Sequence, residues 1–181
     1  MNTYEADALL KGARRLDRVV LSRVFDAFYP KLFAYIVFRI GEPELSSQIA
    51  GQVFIELLDA LSKRREPVNN LAGWLFQTAH NQVQSALHQI TFEQHSHDPA
   101  SEGSLDENLV SGAAQDWPEY RMQSLFQKLS PEHQHFLALR FTNQYSIDDV
   151  SRISGKSMRV VKNLQFQALR SLQQALQARV Y

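Results

Sequence analysis

The chain has 181 residues, of which 44% are hydrophobic and 21% charged, and it contains no cysteine. Disulfides and thiolate-ligated metal sites are therefore excluded. No apolar run approaches the roughly 20 residues of a membrane span, and the first residues lack the pattern of a signal peptide, so a cytoplasmic protein without membrane insertion is expected.

The net charge is zero at pH 7, but the charges are unevenly distributed along the chain. Residues 1–95 hold ten basic and ten acidic residues, residues 96–121 hold one basic and six acidic residues, and residues 122–181 hold eight basic and three acidic residues. The middle segment is rich in Ser, Gly, Asp and Glu and poor in apolar residues. The pattern predicts a first domain at 1–95, an acidic linker at 96–121 and a basic second domain at 122–181.

Apolar residues at helical spacing predict three or four helices in the first domain. Two helical pieces are expected on either side of Pro30, because proline interrupts a helix. Gly41 and Pro43 predict a stop and a restart before the next helix. That helix carries an apolar stripe, widened by two further residues: Leu45, Ile49, Val53, Leu57 and Leu61, with Phe54 and Leu58. A later stripe predicts another helix beside a core tryptophan: Leu71, Leu75, Ala79, Val83 and Leu87, with Trp74.

In the second domain, the local signals predict a helix-turn-helix. Ser130 and Pro131 open a preceding helix. Ser146 is expected to cap the first helix of the motif with Asp149 in a capping box, and Gly155 supplies the tight turn. One face of the following helix carries four residues at i, i+3, i+4 and i+7: Arg159, Lys162, Asn163 and Phe166. This face could read base edges in a major groove, or it could be the solvated face of an amphipathic helix pair.

Four stretches carry a resemblance to a known family: "YPKLFAYIVFRIGEPELSSQIAGQVFIELLDAL" and "GWLFQTAHNQV" in the first half, and "LSPEHQHFLALRF" and "GKSMRVVKNLQFQALRSLQQAL" in the second. Together they resemble the extracytoplasmic-function (ECF) sigma factors of bacterial RNA polymerase. The first two stretches are similar to domain two of that family, the last is similar to domain four, and "LSPEHQHFLALRF" is similar to the helix before it. The resemblance implies an all-α fold, in which a domain-two helical bundle and a domain-four helix-turn-helix are joined by a flexible acidic linker.

The resemblance also implies a function and partners. The chain would be an alternative sigma factor that directs core RNA polymerase to promoter DNA for transcription initiation, with an anti-sigma factor as a further partner. Domain two would bind the polymerase clamp and the minus-ten element, and domain four the minus-thirty-five element. Two alternatives stay open: a sigma-like DNA-binding regulator that does not melt promoters, and a diverged decoy that binds polymerase or an anti-sigma factor.

The site residues that the resemblance implies fall into three groups. The domain-four group is the face of Arg159, Lys162, Asn163 and Phe166. The domain-two promoter group is Lys63, Arg64, Arg65, Asn69, Asn70, His80, Asn81 and Gln84. The polymerase-binding group is Gln48, Gln52 and Glu56. No Lys or Arg occurs between Arg65 and Arg121, so weak phosphate binding is expected for the later part of the domain-two surface.

No catalytic or metal site is expected from the sequence. Gly-rich phosphate loops, nucleophile elbows and paired-carboxylate sites are not found. The histidine pairs His95/His97 and His133/His135 lack further ligands at suitable spacing, so they are interpreted as solvated histidines. A protein without cofactor or enzymatic activity is therefore predicted.

Overall fold

The computed structural model describes residues 3–63, 70–96 and 125–177, and every regular element in these ranges is helical. The first half, residues 3–96, contains α1 (Thr3–Ala13), α2 (Arg18–Ile40), α3 (Pro43–Ser62) and α4 (Leu71–Ser96). The second half, residues 125–177, contains α5 (Pro131–Leu137), a π-helical segment (Ala138–Thr142), α6 (Ile147–Ser154) and α7 (Met158–Gln177). The all-α prediction is confirmed. Residues 97–121 of the predicted linker lie outside the described residues, and the domain boundaries stay a prediction.

The predicted break at Pro30 is wrong, because α2 runs without interruption from Arg18 to Ile40. Pro30 cannot donate a hydrogen bond to the carbonyl oxygen of Asp26. Both residues are exposed, so water can satisfy that carbonyl group. The buried residues Phe28 and Leu32 flank the proline and hold the helix against the core, and this packing offsets the local cost.

The helix ends of the first half follow from local sequence. Asp17 caps α2 by accepting hydrogen bonds from the backbone N–H groups of Val19 at 2.9 Å and Val20 at 3.2 Å. Gly41 ends α2 with a φ of 84°, a left-handed conformation that glycine adopts without steric cost. Pro43 is at the start of α3, so the predicted stop and restart are confirmed.

The helix-turn-helix consists of α6, a turn at Gly155 and α7. The backbone N–H of Asp149 donates to the Ser146 hydroxyl at 3.0 Å, and the backbone N–H of Ser146 donates to the Asp149 carboxylate at 3.2 Å. This is the predicted capping box. Gly155 has a φ of 67°, and Val150 and Val161 are buried where the two helices pack. The predicted motif is confirmed.

Ser146→Ala should lower the free energy of unfolding by about 1 kcal/mol, because it removes one acceptor and one half of the capping box. Ser157→Ala is the matched control, since Ser157 precedes α7 and its hydroxyl lies 3.4 Å from the backbone nitrogen of Val160. We expect a smaller loss for this weaker cap. Urea unfolding followed by circular dichroism measures both; equal losses would contradict the role of the capping box.

The π-helical segment Ala138–Thr142 continues α5 and packs on α2. The backbone N–H of Asn143 donates to the Ala138 carbonyl oxygen at 3.3 Å, five residues back. Leu139 is buried within the segment. The chain then turns so that the backbone N–H of Tyr145 donates to the Leu139 carbonyl oxygen at 3.2 Å. The segment therefore places the Tyr145 ring in the core.

The described residues of the two halves contribute to one hydrophobic core. The rings of Phe38 and Phe126 have centroids 4.4 Å apart, and those of Phe76 and Tyr145 are edge-on at 5.6 Å. Both pairs join the first half to the second. Within the described ranges, no helix has the length and apolar character needed to cross a membrane.

Candidate nucleic-acid interface

The face predicted on the second helix of the helix-turn-helix is fully presented to solvent. Arg159, Lys162 and Asn163 are exposed, and the Phe166 ring is 65% exposed. Val161 and Ala168 are buried on the opposite side of α7. The sequence thus divides α7 into an anchored apolar side and a free polar side. Two cations, an amide and an aromatic ring on one helix face can contact phosphates and base edges.

The residues of the predicted promoter group that lie on α4 are only partly accessible to DNA. Gln77 and Asn81 are exposed, and the Gln77 side-chain amide donates to the Asn81 side-chain oxygen at 3.1 Å. Gln84 is half-buried, and its side-chain nitrogen has no hydrogen-bond partner among the described residues. A cleft of about 480 Å³ between α3 and α4 is lined in part by Asn81 and Glu56. The structure therefore brings a predicted promoter residue and a predicted polymerase residue to one cleft.

Asn70, another predicted promoter residue, lies at the contact between the two halves. Its side-chain nitrogen donates to the Arg152 carbonyl oxygen, and its side-chain oxygen accepts from the backbone N–H of Gly73 at 2.7 Å. A Cβ atom on Gly73 would lie 2.8 Å from the Ile153 carbonyl oxygen. Only glycine permits so close an approach of α6 to the start of α4.

His80 is part of a buried polar cluster that also contains Tyr35, Arg39 and His135; we call it the arginine–histidine cluster. The Arg39 guanidinium Nη1 donates to the Tyr35 hydroxyl oxygen at 2.8 Å and to His80 Nδ1 at 2.9 Å. The Tyr35 hydroxyl is 2.6 Å from His135 Nδ1. Since Tyr35 accepts from Arg39, its own proton is free to be donated to His135. Because a guanidinium group can only donate, His80 accepts at Nδ1 and its ring is neutral.

The surroundings of the cluster oppose protonation of its histidines. Burial, with the Arg39 charge, lowers the pKa of His80 to about 4, against an attraction from Glu132. Burial lowers the pKa of His135 to about 3, together with repulsion from the Arg39 and Lys156 charges and from His80 once it is protonated. Burial raises the pKa of Tyr35 to about 12. The cluster thus carries one positive charge at neutral pH, on Arg39.

Comparisons with known proteins agree with this geometry. The family described as "Sigma-70, region 4" matches residues 125–174, which contain α6, the turn and all but the last three residues of α7. The ECF RNA polymerase sigma factor BldN of Streptomyces coelicolor is 22% identical over 173 residues, which cover 93% of this chain and 64% of that protein. The chain is therefore similar to an ECF sigma factor over most of its length, and the region 4 family is matched in its second half. It spans about 64% of the length of the curated relative that it matches.

One solved structure shows the same fold. The sigma factor RpoE of Bartonella quintana, solved in complex with the anti-sigma factor NepR, has a TM-score of 0.56 and 20% sequence identity, and the match covers 86% of this chain and 96% of that one. The BldN chain of an RsbN–BldN complex matches with a TM-score of 0.37 and 21% identity over 91% of this chain and 97% of that one.

The loop before α4 is described only at its two ends. Lys63 is exposed and its ammonium group lies 2.8 Å from the Asp59 carboxylate. Arg64, Arg65 and Asn69 lie outside the described residues. The structure therefore places Asn70, His80, Asn81 and Gln84 on α4 or at its start but in different surroundings, and the role of the loop residues stays a prediction.

The predicted polymerase-binding group on α3 lies on the same helix as two exposed apolar residues that were not predicted to belong to it. Gln48 and Gln52 are exposed, whereas Glu56 is half-buried and accepts from the Gln82 side-chain amide at 2.5 Å. Leu58, expected in the core, is 46% exposed, and Ile55 is 60% exposed. Ile55 lies outside the predicted apolar stripe of α3 and Leu58 lies at its widened edge, so their positions on the helix were the sequence signal for an exposed apolar surface. Exposed apolar patches of this kind favour protein contacts.

Substitutions on region 4 should separate base reading from phosphate binding. Arg159→Ala should reduce the discrimination between bases at one promoter position by about 1–3 kcal/mol. Lys162→Ala should weaken binding to all sequences, and it should reduce the slope of the log binding constant against log salt concentration by about one. Arg23→Ala, which removes an exposed cation from α2, is the matched control. Fluorescence anisotropy with duplex promoter DNA measures all three. If the first two changes had equal and negligible effects, α7 would not be part of the DNA interface.

Proposed function

We propose that this protein is an alternative sigma factor that directs bacterial core RNA polymerase to specific promoters. The observation that carries the proposal is the exposed face of Arg159, Lys162, Asn163 and Phe166 on the second helix of a sigma-70 region 4. In this role the protein selects promoters and works in the cytoplasm, and the polymerase performs the catalysis. The face would dock in the major groove of the minus-thirty-five element.

The first half would bind the polymerase and the minus-ten element. The exposed side of α3, with Gln48, Gln52, Ile55 and Leu58, is the proposed polymerase surface. The polar side of α4, with Asn81 and its neighbours, is the proposed promoter surface. Because the α4 surface carries amides and histidines in place of cations, its affinity should depend less on salt than that of region 4.

An anti-sigma factor is the second proposed partner. The RpoE chain that shares this fold was solved with the anti-sigma factor NepR, and we propose a partner of the same class here. The exposed apolar residues Ile55 and Leu58 are suited to a protein contact. A polymerase and an anti-sigma factor that share this surface would compete for it.

The test is transcription from a promoter library by core RNA polymerase, with and without the protein. New start sites that share paired upstream motifs are expected. Specific duplex binding without new start sites would favour the regulator that does not melt promoters. Binding to core polymerase without any DNA binding would favour the decoy. Either result would overturn the proposed function.

A further inference from the structure

The turn between α1 and α2 contains a leucine in a strained backbone conformation. The backbone N–H of Leu16 donates to the Ala13 carbonyl oxygen at 2.9 Å, and that of Asp17 donates to the Gly12 carbonyl oxygen at 3.3 Å. These two hydrogen bonds form a Schellman motif, in which the residue at the position of Leu16 is left-handed and is usually glycine. Leu16 has a φ of 55°, so it bears a steric cost that glycine would avoid.

The side chain of Leu16 does not compensate for this cost by entering the core. It is 44% exposed, and Val19, at the start of α2, is 63% exposed. Strained residues persist where the surrounding structure fixes them, and they are concentrated at functional sites. The strain and the exposure together indicate that two aliphatic side chains are presented to a partner at this turn.

Exposed cations surround these two side chains. Residues 11–19 hold one acidic residue, Asp17, and four basic residues, in a chain whose net charge is zero: Lys11, Arg14, Arg15 and Arg18. All four basic residues are exposed. Lys11, Arg15 and Arg18 form no ion pair with another described residue. We call residues 11–19 the cationic tip.

Helix stability does not explain the cationic tip, and its shape is fixed. Arg18 is the first residue of α2, whose first turn contains no acidic residue. The positive end of the helix dipole lies there and disfavours cations. A Cβ atom on Gly12 would lie 2.7 Å from Cγ2 of Val20, so α1 and α2 approach each other closely beside the tip. The tip is therefore pre-formed for binding, which lowers the entropy lost when a partner docks.

The chemistry of the cationic tip matches an anionic lipid surface. Lipid phosphate groups attract Lys and Arg side chains, and aliphatic side chains between those cations can enter the boundary between the headgroups and the acyl chains. Proteins that bind nucleic acids add amides, hydroxyls or aromatic rings to their cations, as the α7 face does with Asn163 and Phe166. Residues 11–19 include no side chain of these three kinds.

We propose that the cationic tip binds anionic lipid headgroups at a membrane surface, with Leu16 and Val19 as its apolar anchors. The contact is peripheral and needs no spanning helix. It does not use the proposed promoter surfaces on α4 and α7, so it is a property of the chain beyond its proposed sigma-factor function.

Co-sedimentation with lipid vesicles tests the proposal. The full chain should bind vesicles of phosphatidylcholine and phosphatidylglycerol in equal amounts, with an affinity that falls as salt is added, and should not bind phosphatidylcholine alone. Leu16→Gly should weaken this binding about threefold or more, yet keep or raise the urea midpoint because glycine relieves the strain. Gln144→Gly is the matched control, since Gln144 also has a φ of 55° but lies outside the tip; its vesicle binding should equal that of the wild type.

Two further substitutions test the apolar and cationic parts of the tip separately. Val19→Ala should weaken vesicle binding without any change in backbone strain. Arg15→Ala should weaken it about fivefold. Arg170→Ala, which removes an exposed cation from α7, is the matched control and should leave vesicle binding unchanged.

Three results would overturn the proposal. The first is the absence of wild-type binding to the anionic vesicles. The second is equal vesicle binding by the wild type, Leu16→Gly and Val19→Ala. The third is a loss of duplex DNA binding by Arg15→Ala, in fluorescence anisotropy, with vesicle binding unchanged; the tip would then bind nucleic acid. Promoter-dependent transcription tests the sigma-factor function independently of all three.

Discussion

Replacing Phe76 with alanine should lower the free energy of unfolding by about 3–5 kcal/mol. Phe76 is fully buried on α4. Its ring lies edge-on to Tyr35 of the first half at 5.5 Å and to Tyr145 of the second half at 5.6 Å. Truncation would leave a cavity between the halves and remove both aromatic contacts, so the loss should exceed that of a surface substitution several-fold.

Urea unfolding followed by circular dichroism measures this loss. Phe92→Ala is the matched control, because Phe92 lies on the same helix and is 73% exposed; its effect should stay within about 0.5 kcal/mol. The contact between the halves should weaken as well. Cysteines at positions 7 and 152, where an Asp7–Arg152 ion pair of 2.7 Å joins α1 to α6, should therefore cross-link more slowly when Phe76→Ala is added. A Phe76→Ala loss as small as that of Phe92→Ala would contradict the shared core.

Acidification should weaken the packing of the two halves against each other over a defined pH range. The pKa of His80 is lowered to about 4 and that of His135 to about 3, first by burial and then by neighbouring charges. In the unfolded chain these histidines should titrate near 6.5. Between these values the unfolded chain binds more protons, so acid favours it. The stabilisation should be complete above about pH 6.5 and should be lost as the pH falls through about 4 for His80 and about 3 for His135.

The pH dependence of the urea midpoint tests this expectation. His80→Gln and His135→Gln should each flatten the decline between about pH 6.5 and 4, because each removes one titrating group. His133→Gln, two residues before His135 on α5, should leave the decline unchanged. Hydrogen bonds from Ser146 and Thr3 outweigh burial and hold the pKa of Asp149 below its usual value. Its protonation therefore adds destabilisation at a lower pH than the histidines do. An unchanged profile in both cluster variants would contradict the role of the histidines.

Local sequence signals predicted most of the helices and their ends. The capping box of Ser146, the turn at Gly155 and the restart at Pro43 each depend on contacts within a few residues, which a sequence displays directly. The helix break predicted at Pro30 was wrong because tertiary packing overrides one missing hydrogen bond. The core position predicted for Leu58 was wrong because an apolar residue at helical spacing can belong to a partner surface as well as to a core.

The contact between the halves could not be predicted from periodicity. The hydrogen bond between Tyr35 and His135 joins residues 100 positions apart, and no local pattern encodes such a pairing. His80 was interpreted as part of a DNA surface because it shares a polar helix face with Asn81. In the structure the two side chains diverge, since His80 turns toward Arg39 and Asn81 faces solvent. The sequence signal for the burial of Arg39 was its position between apolar residues of the same helix, Ile36 and Ile40.

The π-helical segment has a consequence for how this chain is compared with its relatives. A π turn accommodates about one residue more than an α-helix between the same two ends. Deleting one residue within 138–142 should therefore convert the segment to an α-helix and leave Leu137 and Tyr145 facing the core. A deletion in α2 would instead rotate every later side chain of that helix by about 100°. We therefore expect single-residue gaps in an alignment of the second half to fall in this segment. A residue can be gained or lost there without a change in the packing of the neighbouring helices.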